Sequence, residues 1–238
     1  METSKPLTLS SRTIATLLGY SPFQSSWNHF VEKVQKTSSF TTNAAILHGL
    51  KYENEAVKVY QLNSNNEVHN PSNIFTHPSY KFITGKIDGL IYLKDGTKAI
   101  LEIKCPYRNK FPLMEDNDNW EVNTFYWCQV QIYMEMLDIN ETHFCEYYKK
   151  EHRSSLRWKI IKRDNKWFKS IISRIKRFHE EIEIFRKIGI EKHQVYITIQ
   201  VWKDSENIVK PENIVKPENI VKPENIVKPE NIVKPEIE

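Results

Sequence analysis

The sequence predicts an α/β fold with a low-complexity C-terminal tail, and three observations carry that reading. Short β-branched runs are interleaved with longer stretches whose apolar residues recur at helical spacing. An Asp-Gly dipeptide joins two of the β-branched runs as a hairpin. From Glu206 the hexapeptide ENIVKP recurs five times before the chain ends in PEIE. With 238 residues there is length for one substantial core plus appendages.

Residues 8–19, TLSSRTIATLLG, read as a helix capped by Ser10 or Ser11, with Ile14, Leu17 and Leu18 on one face and Gly19 at its stop. Ser25 caps a second helix that carries Trp27, Phe30, Val31 and Val34. A third spans 43–61, where Ile46, Leu50, Val57 and Tyr60 share a face and Glu53 falls in the middle of it. A carboxylate on a core-facing stripe calls for a metal or a buried cation. Glu55 and Lys58 point the other way and read as solvent-side charges. Residues 62–79, rich in Asn, Ser and Pro, read as a loop, and YKFITG as a strand feeding the hairpin.

The hairpin, Asp88 to Lys104, is the centre of the reading. Asp95-Gly96 supplies the positive φ angles of a tight turn, which puts Asp88 and the Glu102/Lys104 pair at the same end of adjacent strands. Residues 102 and 104 leave one face of the sheet while Ile103 enters the opposite layer. Ala99, Ile100, Leu101 and Ile103 describe a buried strand, where charged side chains are rarely found unpaired. Two close carboxylates ask for a cation, and hard oxygen ligands suit magnesium or manganese.

After the hairpin, Tyr107, Arg108 and Lys110 form a basic-aromatic cluster, either a phosphate and base contact or a solvated loop. Residues 121–137, EVNTFYWCQVQIYMEML, form a helix whose apolar face holds Val122, Phe125, Tyr126, Ile132, Tyr133 and Met136, with Gln129 inside that face and Gln131 pointing away. An amide there needs partners, whether at the carboxylate site or on backbone. THFCEYY and LRWKIIKRD alternate as strands. Asp164 caps a long helix with Trp167, Ile171, Ile175, Phe178, Ile182 and Phe185 on one side and a basic opposite face, either solvated or turned to DNA.

The formal charge of +4 permits a nucleic-acid partner without demonstrating one. Three cysteines at apolar runs make no disulfide framework and too few ligands for a four-Cys iron–sulfur site. No signal peptide and no apolar run near twenty residues is seen, so the expectation is a soluble intracellular protein without a membrane partner. Pro at every sixth position of the tail forbids a continuous helix, and 204–238 reads as a flexible or partly extended segment beside a domain at 1–203.

In order, HGLKYENEA, IDG, LEIKCP and FYWCQVQIYMEML resemble the blocks of the PD-(D/E)xK nuclease superfamily, and within it the YqaJ-type viral recombinase and phage lambda-type exonuclease branch. The resemblance runs from about Leu9 to about Gly189. It implies a restriction-endonuclease-like core, a mixed central sheet flanked by helices. It implies that Asp88, Glu102 and the carbonyl of Ile103 hold a divalent ion with Glu53 in the same cluster, and that Lys104 orients the attacking water with help from Gln129. It also implies double-stranded DNA as substrate, Mg2+ or Mn2+ as cofactor, a ring-forming homo-oligomer and a single-strand annealing protein as partner. The family's early T-A-S segment, an anchor for a 5′-phosphate, corresponds to LSS at Ser11, with Lys5 in place of an upstream Arg and Arg12 just after. Lys86 stands where Pro or Ser is common, which adds a basic residue beside the scissile phosphate. A structure- or sequence-specific endonuclease on this fold, or a non-catalytic DNA-binding or virion protein with a relic site, would share the pattern.

Overall fold

Five α-helices of the described residues start where a short polar side chain accepts a hydrogen bond from a backbone N–H of the first turn. In the computed structural model, which describes residues 6–37, 42–107 and 120–200, Ser10 caps α1 (Ser11–Leu17) and Ser25 caps α2 (Ser26–Gln35). Asn43, Asn123 and Asp164 do the same for α3 (Ala44–Ser64), α4 (Thr124–Leu137) and α5 (Asn165–Ile188). Gly19, just past α1, takes the left-handed φ of +89° that ends a helix.

The strands form two sheets. β1 (Leu9–Ser10), β4 (Ile83–Gly85) and β3 (Phe75–Thr76) make a small one in the order β1-β4-β3. The larger runs β2-β5-β6-β7-β8, from β2 (Glu67–His69), β5 (Gly89–Tyr92), β6 (Lys98–Lys104), β7 (Glu141–Lys150) and β8 (Arg153–Lys162). It is mixed: β6 and β7 are parallel, and the other neighbours are antiparallel. A parallel pair needs a crossover, and α4 lies in the connection from β6 to β7. The expected α/β architecture, a mixed sheet flanked by helices, is the observed one.

Alternation along β6 separates the two layers. Ile100 joins Val130, Tyr133 and Met134 of α4, whereas Leu101 and Ile103 pack with Ala56 and Tyr60 of α3. Glu102 and Lys104 share the parity of Ile100 and face α4. β7 is buried through most of its length rather than alternating, as suits a strand covered on both faces.

Several local expectations need correction. YKFITG supplies β4, which belongs to the small sheet, so the chain changes sheets at residues 86–88 before β5. Residues 62–79 hold the end of α3, β2 and β3 rather than a plain loop. The hairpin turn needs one positive φ, at Gly96 (+82°), because Asp95 works through its carboxylate, which accepts from the N–H and hydroxyl of Thr97 at 2.9 and 2.6 Å. Leu50 is 66% exposed: the buried residues of α3 are Ala56 and Tyr60, farther along the helix.

The cysteines are free, with Cys128 and Cys145 buried and Cys105 half-buried. No helix of the described residues is long and apolar enough to cross a membrane. The contacts divide the chain at His193/Gln194, ten residues before the expected boundary; in the second unit residues 194–200 are helical, and the repeat tail 204–238 lies outside the described residues.

Gly85 marks where β4 meets α4: a Cβ there would lie 2.5 Å from Cε1 of Tyr133. Gly85→Ala is therefore expected to destabilise the fold by about 1–3 kcal/mol through overpacking, read as a lower urea midpoint with unchanged slope.

Candidate active site

The β5–β6 ladder stops at the pair Gly89↔Leu101. Two residues farther along β6, the N–H of Ile103 donates to the Asp88 carboxylate at 2.7 Å instead of to a strand backbone. That bond pins Asp88 to the end of β6, as its place beside the hairpin predicts. Glu102, next along the strand, is 2% exposed, and one of its oxygens is crowded. Oε1 accepts from Lys104 Nζ at 2.5 Å and from Gln129 Nε2 at 2.9 Å. Oε2 is buried without a hydrogen-bond partner among the described residues.

Lys104 is held from three sides. Besides Glu102, its ammonium lies 3.4 Å from Gln129 Oε1 and 4.9 Å from the centre of the Tyr126 ring. Gln129 is buried, and it also donates to the Tyr133 hydroxyl at 2.8 Å. Thus β6 and α4 bring Glu102, Lys104 and Gln129 together as expected. Tyr126 and Tyr133 were legible only as part of an apolar face, because a phenol counts as apolar in a periodicity and its hydroxyl partner cannot be read from spacing.

Electrostatics tie the carboxylates together. Burial and then the Asp88 charge push Glu102 up to about 8, against the pull of Lys104. Burial raises Asp88 too, while Lys104, the Ile103 N–H and Lys86 oppose it. Burial alone would lower Lys104, but Glu102 and Asp88 outweigh it and raise its pKa. Glu53, half-buried on α3, is raised by burial and by Asp88, so it belongs to the same electrostatic neighbourhood. It does not close a cage: among the described residues no three His, Cys, Asp or Glu side chains group closely enough to hold a metal by themselves. The donor set nonetheless fits a hard divalent ion, because it presents an orphaned buried carboxylate oxygen beside a second carboxylate raised by desolvation.

The residues expected at DNA divide. Lys86 is exposed, and its charge reaches Asp88 and Glu53. Arg12 is exposed on α1 and Tyr107 is half exposed, its ring 5.4 Å from that of His48. Ser11 is buried instead of facing open surface, and its side chain acts to lower the pKa of Tyr133 against the effect of burial. Arg108 and Lys110 lie outside the described residues.

Gln131 points away from the carboxylate site, as expected, but into a second covered side of α4: it is buried, donating to the Lys162 carbonyl at 2.9 Å and accepting from the Asp164 N–H at 2.7 Å. Glu55 is not a free surface charge, since it accepts from Tyr147 at 2.7 Å and Lys149 at 2.8 Å across to β7.

Residues 4–140 match a family model described as the YqaJ-like viral recombinase domain. The chain is 25% identical over 145 residues to an uncharacterized protein of Acanthamoeba polyphaga mimivirus and 28% identical over 172 residues to the uncharacterized protein YqaJ of Bacillus subtilis. These matches take in 58% and 71% of this chain but 26% and 49% of the relatives, so the chain spans half of their length or less. Among solved structures it is similar in fold to an alkaline exonuclease from Laribacter hongkongensis, with a TM-score of 0.61 and 19% identity over 85% of this chain and 95% of that one. The same holds for a phage-related exonuclease from Haemophilus somnus, with a TM-score of 0.58 and 15% identity over 78% and 98%.

Raised folded-state carboxyl pKa values mean that the fold binds more protons than the unfolded chain between the ordinary carboxylate range and about 8. Metal-free stability should fall as pH rises through that window. Denaturation in chelator at pH 5 to 8 should show this slope, and Glu102→Gln should flatten it.

Proposed function

Because the chain belongs to the YqaJ-like viral recombinase domain family, we propose that it is a magnesium- or manganese-dependent DNA exonuclease that hydrolyses phosphodiester bonds at double-stranded ends, in viral or phage recombination and genome processing. The observation that carries the reading is the buried Glu102 carboxylate, with one oxygen bonded to Lys104 and Gln129 and the other left without a partner. The fold likeness to an alkaline exonuclease supports it.

Asp88, Glu102 and the carbonyl of Ile103 would hold the divalent ion, with Glu53 adding negative charge beside them. When bound, the ion supplies a water of lowered pKa and neutralises charge gathering on the phosphoryl oxygens. Lys104 places its ammonium against the attacking water and stabilises it as hydroxide. Glu102 and Gln129 fix the Lys104 side chain for that task, so little reorganisation is needed at the moment of attack. The water oxygen bonds to phosphorus, the opposite P–O bond breaks, and the leaving oxygen takes up a proton. Exposed Lys86 draws the phosphate backbone towards the carboxylates.

The test compares 5′-phosphorylated linear duplex, nicked circles and closed circles in magnesium. Linear DNA should be degraded and closed circles left intact. Lys104→Ala and Glu102→Ala should each lower the rate at least about 100-fold, and chelation should abolish it. Cutting of closed circles would contradict the exonuclease reading, and the absence of metal-dependent cleavage on every substrate would overturn the enzyme.

A further inference from the structure

On the α4 face of the large sheet, three charged residues stand in one cross-strand row. Lys104 of β6 pairs in register with Glu146 of β7, and Glu146 pairs with Arg157 of β8. Adjacent strands lie about 4.8 Å apart, whereas residues two apart along one strand are separated by about 6.6 Å. By backbone position, Glu146 is therefore a nearer carboxylate to Lys104 than Glu102 is. The Lys104 ammonium nevertheless bonds Glu102, at 2.5 Å. Glu146 is engaged elsewhere: its Oε2 accepts from Arg157 Nη2 at 2.6 Å, from Arg157 Nε at 3.0 Å and from the Tyr148 hydroxyl at 2.5 Å. Arg157 is itself held in place, its Cζ 4.2 Å from the centre of the Trp120 ring and its Nη2 donating to the Tyr148 hydroxyl at 3.1 Å.

Resting on the nuclease reading, we propose that Arg157 is a positioning residue for the reaction: it neutralises Glu146 and so leaves Lys104 to Glu102. The side chains of Lys104, Glu146 and Arg157 are 22%, 15% and 16% exposed, so water screens none of the three charges fully. Without Arg157, one ammonium would stand between two carboxylates, Glu102 and Glu146. Drawn towards Glu146, it would leave Gln129 Oε1, which now lies 3.4 Å from it, and the place where the attacking water is held. An ion pair serving only to join β7 to β8 would add little, because their ladder already runs the full length of both strands, from Glu141↔Lys162 to Lys150↔Arg153. The position of the pair, directly beside Lys104, has a separate consequence for the site.

Arg157→Met keeps an unbranched stem against Trp120 and removes the charge. On linear duplex in magnesium, kcat should fall about 10-fold, while KM for DNA stays near wild type. Adding Glu146→Gln should bring kcat back to within about 2-fold of wild type, because the competing carboxylate is gone. A purely structural ion pair, or a contact from Arg157 to DNA, would give no such rescue. Where Arg157→Met does not fold, Arg157→Gln, which can still donate to Glu146 without a charge, carries the same comparison. The Lys104 side-chain nitrogen, followed by NMR in protein made with isotope-labelled lysine and assigned through Lys104→Arg, reads the row without cleavage. Its signal should shift in the Arg157 variant and return in the double variant. A wild type that cuts nothing overturns the nuclease reading, whereas an unmoved Lys104 signal, or a loss of kcat that Glu146→Gln does not relieve, overturns the role of Arg157.

Discussion

Glu102 sits 2% exposed in a strand where its buried companions, Ala99, Ile100, Leu101 and Ile103, are all apolar. Removing a carboxylate from water costs several kcal/mol unless something compensates it, and the surrounding structure supplies compensation for half of the group. Lys104 and Gln129 satisfy one oxygen, and they come from the same strand and from the helix that crosses over to its parallel neighbour. The other oxygen has no such partner among the described residues. A fold that buries a carboxylate and compensates it incompletely gives up stability at that point, which the raised pKa of about 8 expresses in another form.

Bringing the second carboxylate there depends on how the ladder ends. The chain leaves the small sheet after β4 and reaches β5 through residues 86–88, so Asp88 falls where the β5–β6 pairing stops. Its side chain takes the Ile103 N–H that a longer strand would have taken through its backbone. The site thus lies at an opening in the hydrogen-bond ladder, with α3 covering one face and α4 the other.

Most of this was legible because it is local. Asp88, Glu102 and Lys104 follow from a two-residue strand period and an Asp-Gly turn, and Gln129 from an amide on an apolar helix face. Glu53 follows from the same logic applied to α3, although it joins the site through its charge rather than through a three-carboxylate cage. The rest was not legible where a second surface covers an element. Gln131 lies opposite the apolar face, but α4 is buried on that side too and the amide bonds backbone at the β8–α5 junction. Glu55 reaches over to Tyr147 and Lys149 of β7, and no helical wheel of α3 contains β7. Leu50 keeps its place in the periodicity and is exposed, because apolar spacing says which residues share a face but not how far that face is covered.

The central claim is that Asp88 and Glu102 form a divalent-cation site completed by an ion rather than by protein. Titrating metal-free protein with Mn2+ and following the free ion by electron paramagnetic resonance tests it without any substrate. Wild type should bind the ion at neutral pH, and Asp88→Asn and Glu102→Gln should each lose that binding while remaining folded. Binding of equal strength in both variants would contradict the account.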